Sequence, residues 1–275
     1  MKKQLDFNKL LVIILAIVLS LSWLYPFFLI FINSFKTRTE ILSNVIGLPE
    51  EITLANYPNA FQAMNYVSGF GNSVIITVAS VGLTVLFSAM AAYVLHRRDS
   101  KLSTFIYYFC GVTMLIPFQA IMIPLINLFG QINLLNRTGL TIMNIGFSVS
   151  LSVYLYYGAM RSISTDLDDA ANIDGANRIS IFFRVILPIL KPTTVTVIIL
   201  NGMKIWNDYL LPSLVVNKEG MRTLPLELYS FFGEFTTQWE LALTGLLLAI
   251  IPVILLFISL QKFFIAGISE GSLKM

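Results

Sequence analysis

Cysteine, histidine and charge are all scarce in this 275-residue chain, and each scarcity excludes a class of chemistry. A single cysteine, Cys110, can form no intrachain disulfide and no thiolate metal cage. Inside its apolar block it reads as a small buried hydrophobe. His96 is the only imidazole, and it stands beside Arg97 and Arg98 at the end of an apolar run, where an interfacial, solvated role is expected rather than acid–base catalysis. No His-Glu-x-x-His occurs, and no catalytic and no metal-ligating residue is assigned. No Gly-Lys dipeptide occurs either, which removes the phosphate-cradling loop; if nucleotide energy drives this protein, another chain hydrolyses it. Charged residues make up 12% of the chain, about half of what a soluble domain uses to cover its surface. A formal net charge of +3 without a basic arm is too small to suggest nucleic acid, and none is expected as a partner.

Apolar residues fill the space left by charge: 56% of positions, with a mean hydropathy of +0.79. They fall in six runs, Leu10–Ile32, Asn72–Leu95, Leu102–Leu128, Thr138–Met160, Thr193–Val216 and Leu241–Phe264. Each exceeds the ~20 residues that a helix needs to cross ~30 Å of hydrocarbon. The expected class is therefore all-α, a polytopic membrane protein with six transmembrane helices, in contact with lipid. Met1-Lys2-Lys3 before an apolar run superficially resembles a secretory leader, but the run is too long and lacks a small-residue cleavage site, so a retained first span is expected. Placing the N-terminus inside assigns twelve of the eighteen basic residues to the cytoplasmic side and five to the outer side, with Lys204 within span five. The positive-inside bias then puts both termini in the cytoplasm, as an even number of spans requires. Residues 1–71 form the first span and first outer loop, and 72–275 form a core with five spans, an inner loop 161–192 and a tail 265–275. No internal repeat marks an inverted-repeat carrier.

Two outer loops are long, Asn33–Gly71 and Asn217–Glu240, and either meet an extracytoplasmic partner or pack on the helix ends. The inner segment Arg161–Pro192 has the marks of two short helices joined by a sharp turn. Ser164 or Thr165 can cap the first, and Asp166, Asp168 and Asp169 suit the positive end of its dipole. Ala170 and Ala171 permit close approach, and Asp174-Gly175 supplies a left-handed helix stop. Ile179, Phe182, Phe183 and Ile186 then recur at three- and four-residue steps as an apolar stripe, before Pro188 and Pro192 break the chain. The stripe either folds back on the bundle or enters a groove on a partner.

Asp169-Ala170-Ala171-x-x-Asp174-Gly175-Ala176, followed by Phe183, Ile186-Leu187-Pro188 and Pro192, resembles the EAA loop of binding-protein-dependent ABC importer permeases. Asn72-Ser73, Ala91-Ala92-Tyr93 with Arg97, Ile116-Pro117, Ile123-Pro124-Leu125, Trp206-Asn207-Asp208 and Gln261-Lys262 with Gly267 and Gly271 are similar to the carbohydrate branch, in particular to the second membrane subunit of the maltose importer. The resemblance runs from about residue 56 to the C-terminus. It implies the type I ABC importer permease fold and a heterodimer with a second, homologous permease. It also implies two ATP-binding subunits that hold the ATP and magnesium, and an extracytoplasmic solute-binding protein delivering a carbohydrate. Asp166, Asp169, Ala170, Ala171, Asp174, Gly175, Ala176, Arg178 and Phe183 would then couple to the ATPase. Asn217, Lys218, Glu219 and Gly220 would meet the binding protein, and the tail Ser269–Met275 would reach toward the ATPase. Asp169 stands where the family has glutamate, Ser164 where it has proline, and Asp166-Leu167 where it has Glu-Leu; charge is kept and reach shortens by one methylene.

Span five carries its own polar signal. Asn201, Lys204 and Asp208 fall at i, i+3 and i+7, one face of a continuous helix, with Trp206 and Asn207 beside them. Intramembrane charge costs ~2.5–3.5 kcal/mol, so these groups either line a translocation path, neutralise one another, or lock helix packing. Trp206 and Tyr209 either stack on a sugar or anchor the interface. An ion-coupled carrier or channel subunit is the alternative class, and the paucity of acidic residues within the spans argues against it.

Overall fold

The computed structural model describes residues 7–98, 100–233 and 236–272. Lys2, Lys3 and the last three residues of the tail lie outside the described residues. Among the described residues there is no strand, only an isolated bridge between Phe232 and Thr237. The helices, in order, are α1 (Phe7–Asn33), α2 (Arg38–Ser43), α3 (Asn56–Ala63), α4 (Tyr66–Arg97), α5 (Lys101–Thr113), α6 (Phe118–Gln131) and α7 (Arg137–Met160). They continue with α8 (Asp166–Ile173), α9 (Arg178–Ile189), α10 (Lys191–Trp206), α11 (Leu210–Val215), α12 (Leu224–Tyr229) and α13 (Trp239–Ser272). The chain divides into two compact units, one of Met1–Tyr66 with Glu227–Ile254, the other of Val67–Leu226 with Leu255–Met275.

In the first unit, α1 states the environment. Its apolar stretch Lys9–Asn33 spans 25 residues without a buried face in its most hydrophobic window. At ~1.5 Å per residue it reaches about 37 Å, enough to cross hydrocarbon. A rod that is apolar all round and uncovered by protein is a lipid-facing span. After it, a polar knot forms: Asn56 Nδ2 donates to the carbonyls of Ser34 and Lys36, at 2.9 and 2.8 Å. Thr244 from α13 donates to the same Ser34 carbonyl.

The second unit holds two other unbroken apolar helices, Tyr66–Arg97 and Arg137–Met160. Ser80, Thr84 and Ser88 step four residues apart along α4 and are fully buried, as are Ala89 and Ala92. On α7, Ser148 and Ser152 are likewise buried. Small residues at a helix interface let backbones approach where no hydrophobic effect draws them together, since lipid tails are as apolar as leucine. Two buried clusters tie α4 and α7 to the rest. One joins them to α9 and α10 through Tyr93, Tyr156, Phe182, Ile186 and Val197. The other joins them to α10 and α11 through Ile76, Leu140, Ile205, Leu211 and Val215.

Two expected spans are broken. The run Leu102–Leu128 is not one helix but α5 and α6, bent by 103°. Pro117 explains the break: it has no amide to continue the ladder, and it forces Ile116 away from helical geometry. Pro117 itself is extended and opens α6 (φ −70°, ψ 142°). The run Thr193–Val216 is likewise divided, α10 stopping at Trp206 and α11 starting at Leu210. Elsewhere α4 begins at Tyr66, ahead of the expected Asn72, the helix running through Val67, Ser68 and Phe70 in spite of Gly69 and Gly71.

Candidate functional site

The segment between α7 and α10 is a two-helix hairpin, and local chemistry shapes each of its corners. Ser164 Oγ accepts from the Asp166 amide at 3.1 Å, whereas Thr165 makes no capping bond. The first turn of α8 carries Asp166, Asp168 and Asp169, where the helix dipole favours negative charge. Gly175 sits at φ +81°, its amide donating to Asn172 and that of Ala176 to Ala171. This pair of bonds is the Schellman closure that only a left-handed residue completes. Asn177 Oδ1 then caps α9 by accepting from the Ser180 amide at 2.8 Å. Within α9 the turn Phe182–Ile186 is widened to π-helical geometry, the Leu187 amide reaching back to Phe182. Pro188 follows at once; with no amide it offers the Arg184 carbonyl no helical donor.

The widened turn redistributes the expected apolar stripe. Phe182 and Ile186 point inward with Ile181 and Leu190, joining Tyr93, Tyr156 and Met160 in the buried cluster. Ile179 and Phe183 remain outside, as do Leu167 and Ile173, the last 87% exposed. A single stripe over all four residues is therefore corrected to an anchored face and an open face. On the open face lie Asp166, Asp169, Ala170, Asp174, Gly175, Arg178 and Phe183, while Ala171 and Ala176 are half-buried at the corner.

One acid does not share that face. Asp168 is buried and pairs with Arg97 at 2.6 Å, while the Tyr93 hydroxyl donates to its other oxygen. The Arg97 guanidinium also donates to the carbonyls of Ile163 and Ser164, at 3.1 and 3.2 Å. Its carbon lies 5.9 Å from the centroid of the Tyr93 ring. The C-terminal end of α4 thus grips both the entry to the hairpin and its first helix. A cavity of about 520 Å³ opens beside this grip, among Arg97, Arg98, Asp168, Asp169, Arg178 and Phe183. Sequence reasoning missed Asp168 as a functional residue. The available signal was Tyr93 and Arg97 at i, i+4, one face of one helix, ready for a common partner.

The span-five residues are not brought onto one face. Asn201 is buried and donates to Ser152 Oγ and the Val197 carbonyl, at 3.0 and 2.9 Å, so it locks α10 to α7. Lys204 Nζ contacts the Phe147 carbonyl at 3.5 Å and lies 5.8 Å from that ring's centroid. Trp206 meets Phe70 edge to face at 5.8 Å. The helix ends there; Asn207 Nδ2 donates back to Met203 at 2.8 Å. Asp208 lies beyond the end, accepting from the amides of Leu210 and Leu211 to cap α11. The expected i, i+7 relation of Asn201 and Asp208 is corrected, because the aspartate prefers the free amides of a new helix to a place on the old one.

Asn217, Lys218, Glu219 and Gly220 form an exposed turn, with Gly220 at φ +73°. Its base is fastened. Asn72 Nδ2 donates to the carbonyls of Gly220 and Arg222, at 3.0 and 2.9 Å, and Arg137 Nη1 donates to Asn72 Oδ1 at 2.8 Å. Next along, the Leu224 amide donates to Ser73 Oγ at 2.8 Å. The Asn72-Ser73 pair thus acquires a physical task.

Apolar rods, a buried small-residue seam and a hairpin with one open face define a multi-pass membrane protein. The chain belongs to the family of binding-protein-dependent transport system inner membrane components, which matches residues 84–270. Three relatives match it over nearly their full length. It is 47% identical over 272 residues, 99% of both chains, to the "Probable starch degradation products transport system permease protein AmyC" of Thermoanaerobacterium thermosulfurigenes. It is 34% identical to the multiple sugar-binding transport system permease protein MsmG of Streptococcus mutans, covering 100% of both. It is also 34% identical to the melibiose/raffinose/stachyose import permease protein MelC of Bacillus subtilis, covering 96% of both. In fold it matches a chain from the crystal structure of a bacterial ABC transporter involved in the import of the acidic polysaccharide alginate. That match has a TM-score of 0.82 at 24% identity, over 96% of this chain and 100% of that one. The type I ABC permease fold expected from the sequence is the fold found.

Proposed function

We propose that this chain is a membrane-spanning subunit of an ATP-driven importer that takes carbohydrate from an extracytoplasmic binding protein. The hairpin carries the reading: its open face combines exposed Ile173, Ile179 and Phe183 with Asp169 and Asp174 on a rigid, capped scaffold. An apolar patch flanked by acids, with Arg178 beside it, suits a groove of mixed polar edge on a second protein. The sugar-permease relatives support the substrate class.

In this reading α1, α4, α5 with α6, α7, α10 with α11, and α13 supply six spans, and both termini lie in the cytoplasm. Two such permeases, this chain and a homologous partner, sit on two ATP-binding subunits that hold ATP and magnesium. Asp166, Asp169, Ala170, Ala171, Asp174, Gly175, Ala176, Arg178 and Phe183 form the coupling surface. Closure of the ATPase pair drags the hairpin and biases the bundle between inward- and outward-facing states, which requires that ATP bind the two states unequally. The turn Asn217–Gly220 faces the binding protein. Lys204, with Trp206, Asn207 and Asp208 at the break after α10, borders the path for solute, while Asn201 holds the helices around it.

The test is Asp174→Lys, which reverses charge on the open face without touching the fold's interior. In proteoliposomes carrying the whole complex, ATP-dependent uptake of a sugar panel including melibiose and raffinose is expected to be abolished, with membrane insertion intact. Uptake equal to the unaltered complex would sink the coupling assignment.

A further inference from the structure

We propose that α4 is the rod joining the hairpin to the outer turn, with Arg97 and Tyr93 as positioning residues at one end and Asn72 at the other. The inference rests on the coupling role proposed for the hairpin and goes beyond it. At the hairpin end, Arg97 and Tyr93 hold Asp168, and Arg97 holds the Ile163 and Ser164 carbonyls as well. At the other end, Asn72 holds the carbonyls of Gly220 and Arg222. Between them α4 runs unbroken and without proline from Tyr66 to Arg97. Kinks in long helices arise mostly at proline, Gly/Ser pairs or wide turns, and between Asn72 and Arg97 the only glycine is Gly82. A displacement imposed at Arg97 is therefore delivered to Asn72.

The adjacent acids Asp168 and Asp169 divide the work. Asp169 is exposed and faces outward, while Asp168 is buried and faces α4. Three attachments to one guanidinium leave little freedom for the hairpin to shift without taking α4 along. Charge-assisted bonds are the stiffest available, and exclusion of water strengthens them. Both fastenings lie within the second compact unit, so the rod needs no contact with the first.

The experiment uses the complete complex in nanodiscs, on a Cys110→Ala background, with a spin label at Glu219→Cys in the outer turn. The probe is MgATP trapped with vanadate, which requires no knowledge of the sugar. A second cysteine pair, Ile173→Cys and one on the ATP-binding subunit, reports hairpin docking by cross-linking. The unaltered rod is expected to give a nucleotide-dependent change in label mobility. Asp168→Asn should keep the cross-link and keep ATP hydrolysis within about twofold, yet shrink the mobility change about fivefold or more, the usual scale of a lost coupling free energy. Asp168→Glu, which keeps the charge, should retain at least half of the change. Asn72→Ala should lose it with docking and hydrolysis untouched, which guards against a misfolded hairpin being mistaken for a severed rod. A full mobility change in Asp168→Asn with the cross-link present would overturn the inference. So would loss of cross-link and mobility change together, since the clasp would then only shape the hairpin. If the unaltered complex forms no cross-link at all, the coupling reading itself fails.

Discussion

Arg97 and Asp168 meet at 2.6 Å across three intervening helices, and both side chains are largely shielded from water. A surface ion pair would contribute ~0–1 kcal/mol, but loss of one partner from a buried pair strands the other's charge. The pair is thus a point where small chemical changes have large and ordered consequences.

Removing only the hydroxyl, Tyr93→Phe, deletes one bond to a charged acceptor, at a cost of about 1.5–3 kcal/mol. Arg97→Leu leaves Asp168 without its cation and the two carbonyls without their donor, costing about 3–5 kcal/mol. Thermal unfolding of the purified complex in detergent should therefore rank Arg97→Leu below Tyr93→Phe, and both below the unaltered chain. Equal melting temperatures for all three would mean that the clasp carries no stability.

The helix breaks and the clasp explain what the sequence could and could not disclose. Long apolar runs announce themselves one residue at a time, so α1, α4 and α7 were legible to within a few residues except at the start of α4. Gly175 was legible because its role is local: a left-handed helix stop favours glycine, and Asp174-Gly175 sits where the helical pattern ends. The break in Leu102–Leu128 was signalled by Pro117, but proline is tolerated inside membrane helices often enough that the run still read as one span. The Arg97–Asp168 pair is different in kind. It depends on which helix packs beside which, and that information is in no short window of sequence. Asp208 misled for a related reason, because periodicity assumes that the helix continues.

Gly175→Ala tests the turn. A Cβ there meets no neighbour within 4 Å, so the penalty is backbone strain alone. A left-handed alanine costs about 1–2 kcal/mol, and asparagine less. Sugar uptake in vesicles should fall in the order Gly, Asn, Ala at position 175, with equal amounts of inserted protein. An alanine variant that transports as well as the parent would show that the Schellman closure is dispensable.

Gly139→Ala tests a different constraint, since φ is ordinary there and space is not. A Cβ on Gly139 would stand 1.7 Å from the Leu134 carbonyl oxygen, which belongs to backbone and cannot swing aside. The first turn of α7, capped by Asn136, must then shift or the loop before it must open. The expected result is a steep loss of folded protein on size-exclusion chromatography, which Gly146→Ala, with nothing within 4 Å of its Cβ, should not show. Similar yields for the two variants would refute the close approach.

Lys36 is fully buried, and its ammonium donates to the carbonyls of Asn44 and Gly47, at 2.7 and 2.6 Å. Asn44 ends α2, so the cation also lies where a helix dipole favours it. Lys36→Met keeps most of the stem's volume but leaves both carbonyls without their donor, at about 1–3 kcal/mol for each buried group left unpaired. Arg is no substitute, because a planar fork cannot aim two bonds from the point that the ammonium occupies. Burial shields the interaction from salt, so raising ionic strength should not reproduce the effect of the mutation. Limited proteolysis of the detergent-solubilised protein is therefore expected to nick residues 44–50 faster in Lys36→Met and in Lys36→Arg, and at the parental rate in the unaltered chain at any salt concentration. If Lys36→Met resists protease like the parent, the bond from Asn33 Nδ2 to the Val45 carbonyl and those from the Gly47 and Glu50 amides to Asn44 and Glu40 suffice to hold the loop.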